Sequence, residues 1–211
     1  MNLPEHLRNA TREIHEQLHL VVDLTRLLSD RVEYGAGLLR YQAAVQPVEE
    51  WLTKTKTKLP AAELPGDLQD RLCKVAWLEE DRRALSQLVD SRPQRSSSRP
   101  VFDLNESKSH LISQVAGVLY VMEGMTLGGM QISKQLSDQL QVDIDSGGRF
   151  FAGYAQETGS RWTRLKEWLV NVGSRPDHND DVASDAAKRV FDHFATSLRS
   201  HQVSLDNGTR R

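Results

Sequence analysis

The stretch VAGVLYVMEGMTLGGMQISKQL, Val115 to Leu136, is the part of the chain whose reading decides the fold. Its apolar residues recur at helical spacing. At about 100° per residue Gly117, Gly124 and Gly128 fall on one stripe of the helix surface, with Gly129 on the neighbouring flank. A helix stripped of side chains along one line must be approached closely there. Each interior glycine costs about 1 kcal/mol relative to alanine, so three cost about 3 kcal/mol, an appreciable part of a marginal stability. A flat ligand justifies that loss, and so does a tight helix-helix contact.

Outward from this helix, apolar positions keep helical spacing along nearly the whole chain, and alternating β-branched runs between hairpin turns are missing. The expected fold class is all-α, as a single domain over residues 1–211. Pro4 suits a first turn, and Leu7, Ala10, Thr11, Ile14, His15 and Leu18 line one face of a first helix ending near Leu20. A second helix is predicted from about Val32 to Lys58, with a bend at Pro47, and a third from Gly66 to Val89. Residues 91–100, rich in Ser, Pro and Arg, read as an exposed loop. The glycine-striped helix is expected from Asn105 or Glu106 to about Gln139, kinked at its glycines. A turn at Gly147 and Gly148 then leads into a helix through Leu169 that faces Arg161, Trp162, Leu165 and Trp168 inward. A final helix runs from Asp180 to His201, and residues 203–211 form a frayed tail.

Composition narrows the partners. Lys and Arg number 27 against 29 Asp and Glu, which leaves no basic field to neutralise phosphates, so nucleic acid is not an expected partner. The N-terminal segment is charged and amphipathic, and no stretch reaches about 20 apolar residues, so a soluble, cytoplasmic protein without a membrane partner is expected. Cys73 is the single cysteine, read as a semi-buried residue, and excludes an intramolecular disulfide or a thiolate cluster made from one chain.

On the first helix, Arg8, Thr11 and His15 share a face. A neutral imidazole is a good iron ligand, and a cation some 10 Å along the same helix can meet a carboxylate of the molecule that holds the iron. That pairing suits haem and its propionates. A histidine-bearing helix below and a side-chain-poor helix above make a slot for a porphyrin. Glu16 and His19 form one Glu-x-x-His pair, but a di-iron bundle needs a second, and Glu106 with His110 has the wrong spacing. His6, His178, His193 and His201 sit in charged surroundings and are expected at the surface.

These residues resemble those of a haem oxygenase of the bacterial, biliverdin-producing kind. LRNATREIHEQL, Leu7 to Leu18, is similar to the family's proximal helix, and LYVMEGMTLGG, Leu119 to Gly129, to its distal helix. Weaker matches run through Tyr34 to Glu49 and Gly147 to Trp162. The form EGxTLGG from Glu123 looks most like the branch encoded with bacteriophytochromes, which take biliverdin as chromophore. The resemblance implies His15 as the axial iron ligand and Gly124, Gly128 and Gly129 as the wall over the haem. It implies Arg8 and Arg161 at the propionates, with Thr11 beside them. It further implies oxidative cleavage of haem by O2 and electrons from an external reductase or ferredoxin, giving biliverdin, CO and ferrous iron.

One position departs from the pattern. Met125 stands where many members have an aspartate that organises distal water, and a thioether cannot hold such a chain. Oxygenase activity then requires backbone carbonyls near Gly124 and the Thr126 hydroxyl to order the water. Alternatively Met125 or Met122 ligates the iron, leaving a haem carrier or sensor without turnover. A third reading packs Met125 against the porphyrin or a neighbouring helix.

Overall fold

Helix α1, Leu3–Val21, begins at a reciprocal cap. The Asn2 side chain accepts from the Glu5 amide at 3.1 Å and the Glu5 carboxylate accepts from the Asn2 amide at 3.3 Å. The computed structural model describes residues 1–86, 101–104 and 110–199, so the expected loop at 91–100 and the tail lie outside the described residues. Within them the chain is helical and holds no strand.

A short α2, Leu24–Leu27, leads into α3, Arg31–Thr55, whose Val32 and Glu33 amides donate to the capping Asp30 carboxylate. Pro47 lies inside α3 without ending it. The third predicted helix divides into α4, Leu68–Arg71, and α5, Lys74–Ser86. The break has a physical cause: the buried Glu49 carboxylate accepts the Lys74 amide at 2.9 Å and so starts a new helix there.

Helix α6, Leu111–Leu140, is the glycine-striped helix and runs unbroken through its glycines to a left-handed Gln141 at φ 54°. The helix expected after the glycine turn is also two pieces. α7, Arg149–Ala152, is started by Asp81, whose carboxylate accepts the Arg149 and Phe150 amides at 2.7 and 2.8 Å. Gly153 then turns the chain at φ 59°, and α8, Thr158–Gly173, follows. A side chain at Gly153 would collide with Thr126 as well as strain the backbone. α9, Asp180–Arg199, completes the described chain.

Helix α6 lies at the centre, against α9, α7 and α8, while α1 rests chiefly on α9 and α8. By length and composition α6 could cross a membrane, contrary to the expectation that no stretch would, but most of it is buried inside this bundle as a core helix. The starts of three helices meet at one end. Asp180 of α9 lies 3.9 Å from His6 of α1 and 2.9 Å from His178, whose other ring nitrogen is 3.0 Å from Ser113 of α6. From that junction α1, α6 and α9 run in the same direction, and His15 of α1 meets Phe191 of α9 further along.

Candidate functional site between two parallel helices

Thr11 brings α1 and α6 together. Its hydroxyl donates to the Leu7 carbonyl at 2.7 Å and lies close enough to the Tyr120 phenol to act on its pKa. Burial pushes the Tyr120 phenol up in pKa, while Thr11 and the nearby Arg8 guanidinium pull against that shift. Because the helices are parallel, the next turn of each brings His15 and Gly124 to the same level, about 6 Å along.

His15 is solvent-accessible, edge-on to Phe191 at 5.7 Å and to His19 at 4.6 Å between ring centroids. Desolvation first, then the neighbouring His19, lower its pKa from the ordinary 6.5, against a smaller opposing pull from Glu16. At neutral pH it is an uncharged imidazole with a free lone pair, the form that ligates iron.

The glycine stripe divides into two kinds of position. A Cβ on Gly117 would stand 2.0 Å from the Ala183 carbonyl oxygen, so this glycine admits the backbone of α9. A Cβ on Gly129 would stand 3.0 Å from the Phe151 carbonyl oxygen, so this one admits the chain at α7. At Gly124 the nearest atom is the edge of Trp162 at 4.0 Å, and at Gly128 nothing lies within 4 Å. No part of the described protein calls for the absence of a side chain at these two positions. The arrangement fits haem, with a neutral histidine on one helix and bare backbone at the same level on the other.

The remaining predicted residues are distributed unevenly. Met125 is half-buried and packs against the core, and Met122 is buried within it, so iron ligation by Met122 would require the core to open. Thr126 lies on the other side of α6 from Gly124, its methyl toward Gly153 and its hydroxyl donating to the Met122 carbonyl at 3.0 Å. Arg161 is engaged by neighbours just before its own helix and beyond it. Its Nε donates to Glu157 at 3.1 Å, its Nη1 lies 3.9 Å from Asp67, and its guanidinium stacks over Tyr154 at 4.4 Å. The next residue, Trp162, reaches the bare stretch and packs against Tyr120 at 5.7 Å between centroids.

Two expected surface histidines are internal instead. The His178 side chain is only 4% exposed because Ser113 and Asp180 bracket both ring nitrogens. His193 is half-buried, and its Nε2 donates to the Ala44 carbonyl at 3.0 Å, a contact between α9 and α3.

A profile of the family described as Heme oxygenase matches residues 1–200. The chain belongs to the haem oxygenase family. Its fold is similar to that of the Neisseria meningitidis haem oxygenase, a crystal structure with NO and CO bound. That protein is 17% identical, the match covers 95% of this chain and 92% of that one, and the TM-score is 0.75. It is also similar to haem oxygenase 2 from Chlamydomonas reinhardtii, solved without haem, at 16% identity, 95% and 97% coverage and a TM-score of 0.70. At these identities the likeness shows the fold. No curated protein sequence matches the chain.

Within this haem oxygenase fold, sequence reasoning missed a buried ionic cluster behind α6. Glu123 is held by Arg71 at 2.7 Å and Lys74 at 2.7 Å, with all three side chains at most 2% exposed, and Tyr154 donates to it at 3.0 Å. Against the cost of burial, the Glu123 carboxylate raises the pKa of Lys74, so the charged form is kept. Asp67 receives the Nε and Nη2 of Arg71 at 2.7 and 2.9 Å. The signal lay in the sequence as Glu123, a carboxylate in the middle of the most apolar helix, which requires buried cations.

Proposed function

We propose that this chain is a haem oxygenase that takes haem between α1 and α6 and cleaves it to biliverdin, CO and ferrous iron. The observation that carries the reading is the bare backbone at Gly124 and Gly128, level with a neutral histidine on a parallel helix. In this reading haem supplies the site of O2 activation as well as the carbon that is attacked. The electrons come from an external reductase or ferredoxin.

The chain's own residues hold, orient and shield. The His15 imidazole would hold the haem iron. Arg8, with Tyr120 beside it, offers a cation and a hydroxyl to the propionate edge. The backbone of Gly124 and Gly128, with Gly129 set against α7, forms the opposite wall, and Trp162 closes its flank against bulk water. Met125 contributes no proton, so ordered water at the bare wall hydrogen-bonds to backbone carbonyls there. Arg161, turned toward Asp67 and Glu157, reaches a propionate only by leaving those partners. Its role in this reading is to hold the Trp162 segment.

The EGxTLGG form supports a place in the bacteriophytochrome-associated branch, with a cytoplasmic enzyme handing biliverdin to such a receptor. Adding one equivalent of haemin and then ascorbate in air tests the main reading. A Soret band that forms and decays into extractable biliverdin is expected. A band that persists, with a six-coordinate spectrum lost in Met125→Ser, would replace the enzyme with a haem carrier or sensor.

A further inference from the structure

The buried cluster behind α6 meets the proposed haem slot at two places, and one side chain makes both contacts. Arg71 donates through Nη1 to the Glu123 carboxylate at 2.7 Å and through Nη2 to the Arg161 carbonyl at 3.0 Å. Glu123 immediately precedes Gly124. Arg161 immediately precedes Trp162, whose ring edge is the nearest atom to a Cβ built on Gly124. One planar guanidinium therefore grips the residue before each of the two positions that face one another at the slot. Its Nε and Nη2 are anchored in turn by Asp67.

We infer that Arg71 is a positioning residue that sets the spacing between the bare backbone of α6 and the Trp162 wall of α8. The inference rests on the haem oxygenase reading for its consequence, because that spacing then fixes how haem sits under the glycines. Several features favour this over a merely stabilising role. A buried ionic group is seldom more stable than apolar packing of the same volume, so its retention needs another reason, and here the ions fix direction and distance. The break between α4 and α5 puts Arg71 and Lys74 on one carboxylate, and Lys74 donates back to the Arg71 carbonyl at 3.0 Å. Among the described residues only the Trp162 edge approaches the open side of α6 at Gly124 and nothing approaches it at Gly128, so contacts from the Glu123 side carry more of the work of placing the helix. Lysine cannot replace the fork, since an ammonium on a flexible stem does not span three partners in fixed directions.

The test compares wild type, Arg71→Lys and Asp67→Asn by amide hydrogen exchange on the haem-free protein, then by the C–O infrared band of the haemin-loaded, CO-bound ferrous form. Arg71→Lys is expected to speed exchange of amides 124–130 at least tenfold with amides 183–190 unchanged, and to shift or split the C–O band. If Arg71→Lys does not fold, Asp67→Asn, which loosens the same guanidinium from its outer side, gives a smaller rise confined to the same segment. Trp162→Phe combined with Arg71→Lys gives a band shift smaller than the sum of the single shifts, since both act on one spacing. Exchange that rises equally in both segments, or not at all, overturns the inference. A wild-type protein that forms no Soret band overturns the haem reading instead, and the exchange comparison still decides whether Arg71 holds the segment.

Discussion

Gly117 and Gly128 sit on the same stripe of the same helix, three turns apart, and lack a side chain for opposite reasons. At Gly117 another helix occupies the place of a Cβ, with the Ala183 carbonyl 2.0 Å from where it would be. At Gly128 nothing of the described protein comes within 4 Å. The first glycine is explained by the fold of the described chain and the second is not. In the proposed reading the stripe thus contains a packing site and a ligand site, and only the neighbours tell them apart.

The largest effect is expected on the packing side. Gly117→Val drives a side chain into the backbone of α9, which overpacking places at about 3 kcal/mol or more, and the melting transition followed by circular dichroism falls by roughly 10 °C. A melt within a few degrees of wild type would break the comparison.

His15→Ala should leave that melt nearly unchanged and abolish the histidine-ligated haem spectrum. A wild-type spectrum in this variant would move the axial ligand elsewhere. Gly128→Ala sharpens the contrast further, because removing an interior helix glycine where nothing clashes stabilises the haem-free protein by about 1 kcal/mol, or roughly 2–4 °C. The same methyl weakens haem affinity.

The smallest effect concerns pH. The folded His15 pKa lies below the ordinary 6.5, chiefly through desolvation, so the neutral form is favoured in the fold. Its contribution is present above 6.5 and is lost as the pH falls through the folded value. Histidine ligation of haem is therefore expected to hold level from pH 8 to 6.5 and to fail only at lower pH. A midpoint above 6.5 in a pH titration of the haem spectrum would contradict this.

The sequence carried the helices whose signals are local: the first-turn Pro4 and apolar face of α1, the glycine stripe of α6, and the face carrying Arg8, Thr11 and His15. It failed where a distant side chain intervenes. Nothing near Leu72 announces a helix break, because the group that makes it, Glu49, comes from α3. The helix expected after Gly148 was divided by Gly153, whose turn is held against Thr126 of α6. The resemblance placed Arg161 at the propionates, and in the described chain it pairs with Glu157 and Asp67, partners that the local pattern does not announce, while the ring nearest the bare stretch is that of Trp162. His178 looked exposed by its charged neighbours, yet one of them, Asp180, is its partner, and its ring is covered where it meets Ser113.

The most direct test of the central claim is a haemin titration of Gly128→Leu beside the wild type, with a thermal melt of both. Wild type should take up one equivalent with a sharp Soret band. Gly128→Leu should take up none while melting at or above the wild-type temperature. Equal haem uptake by the two proteins would show that the bare stretch of α6 is not the haem face.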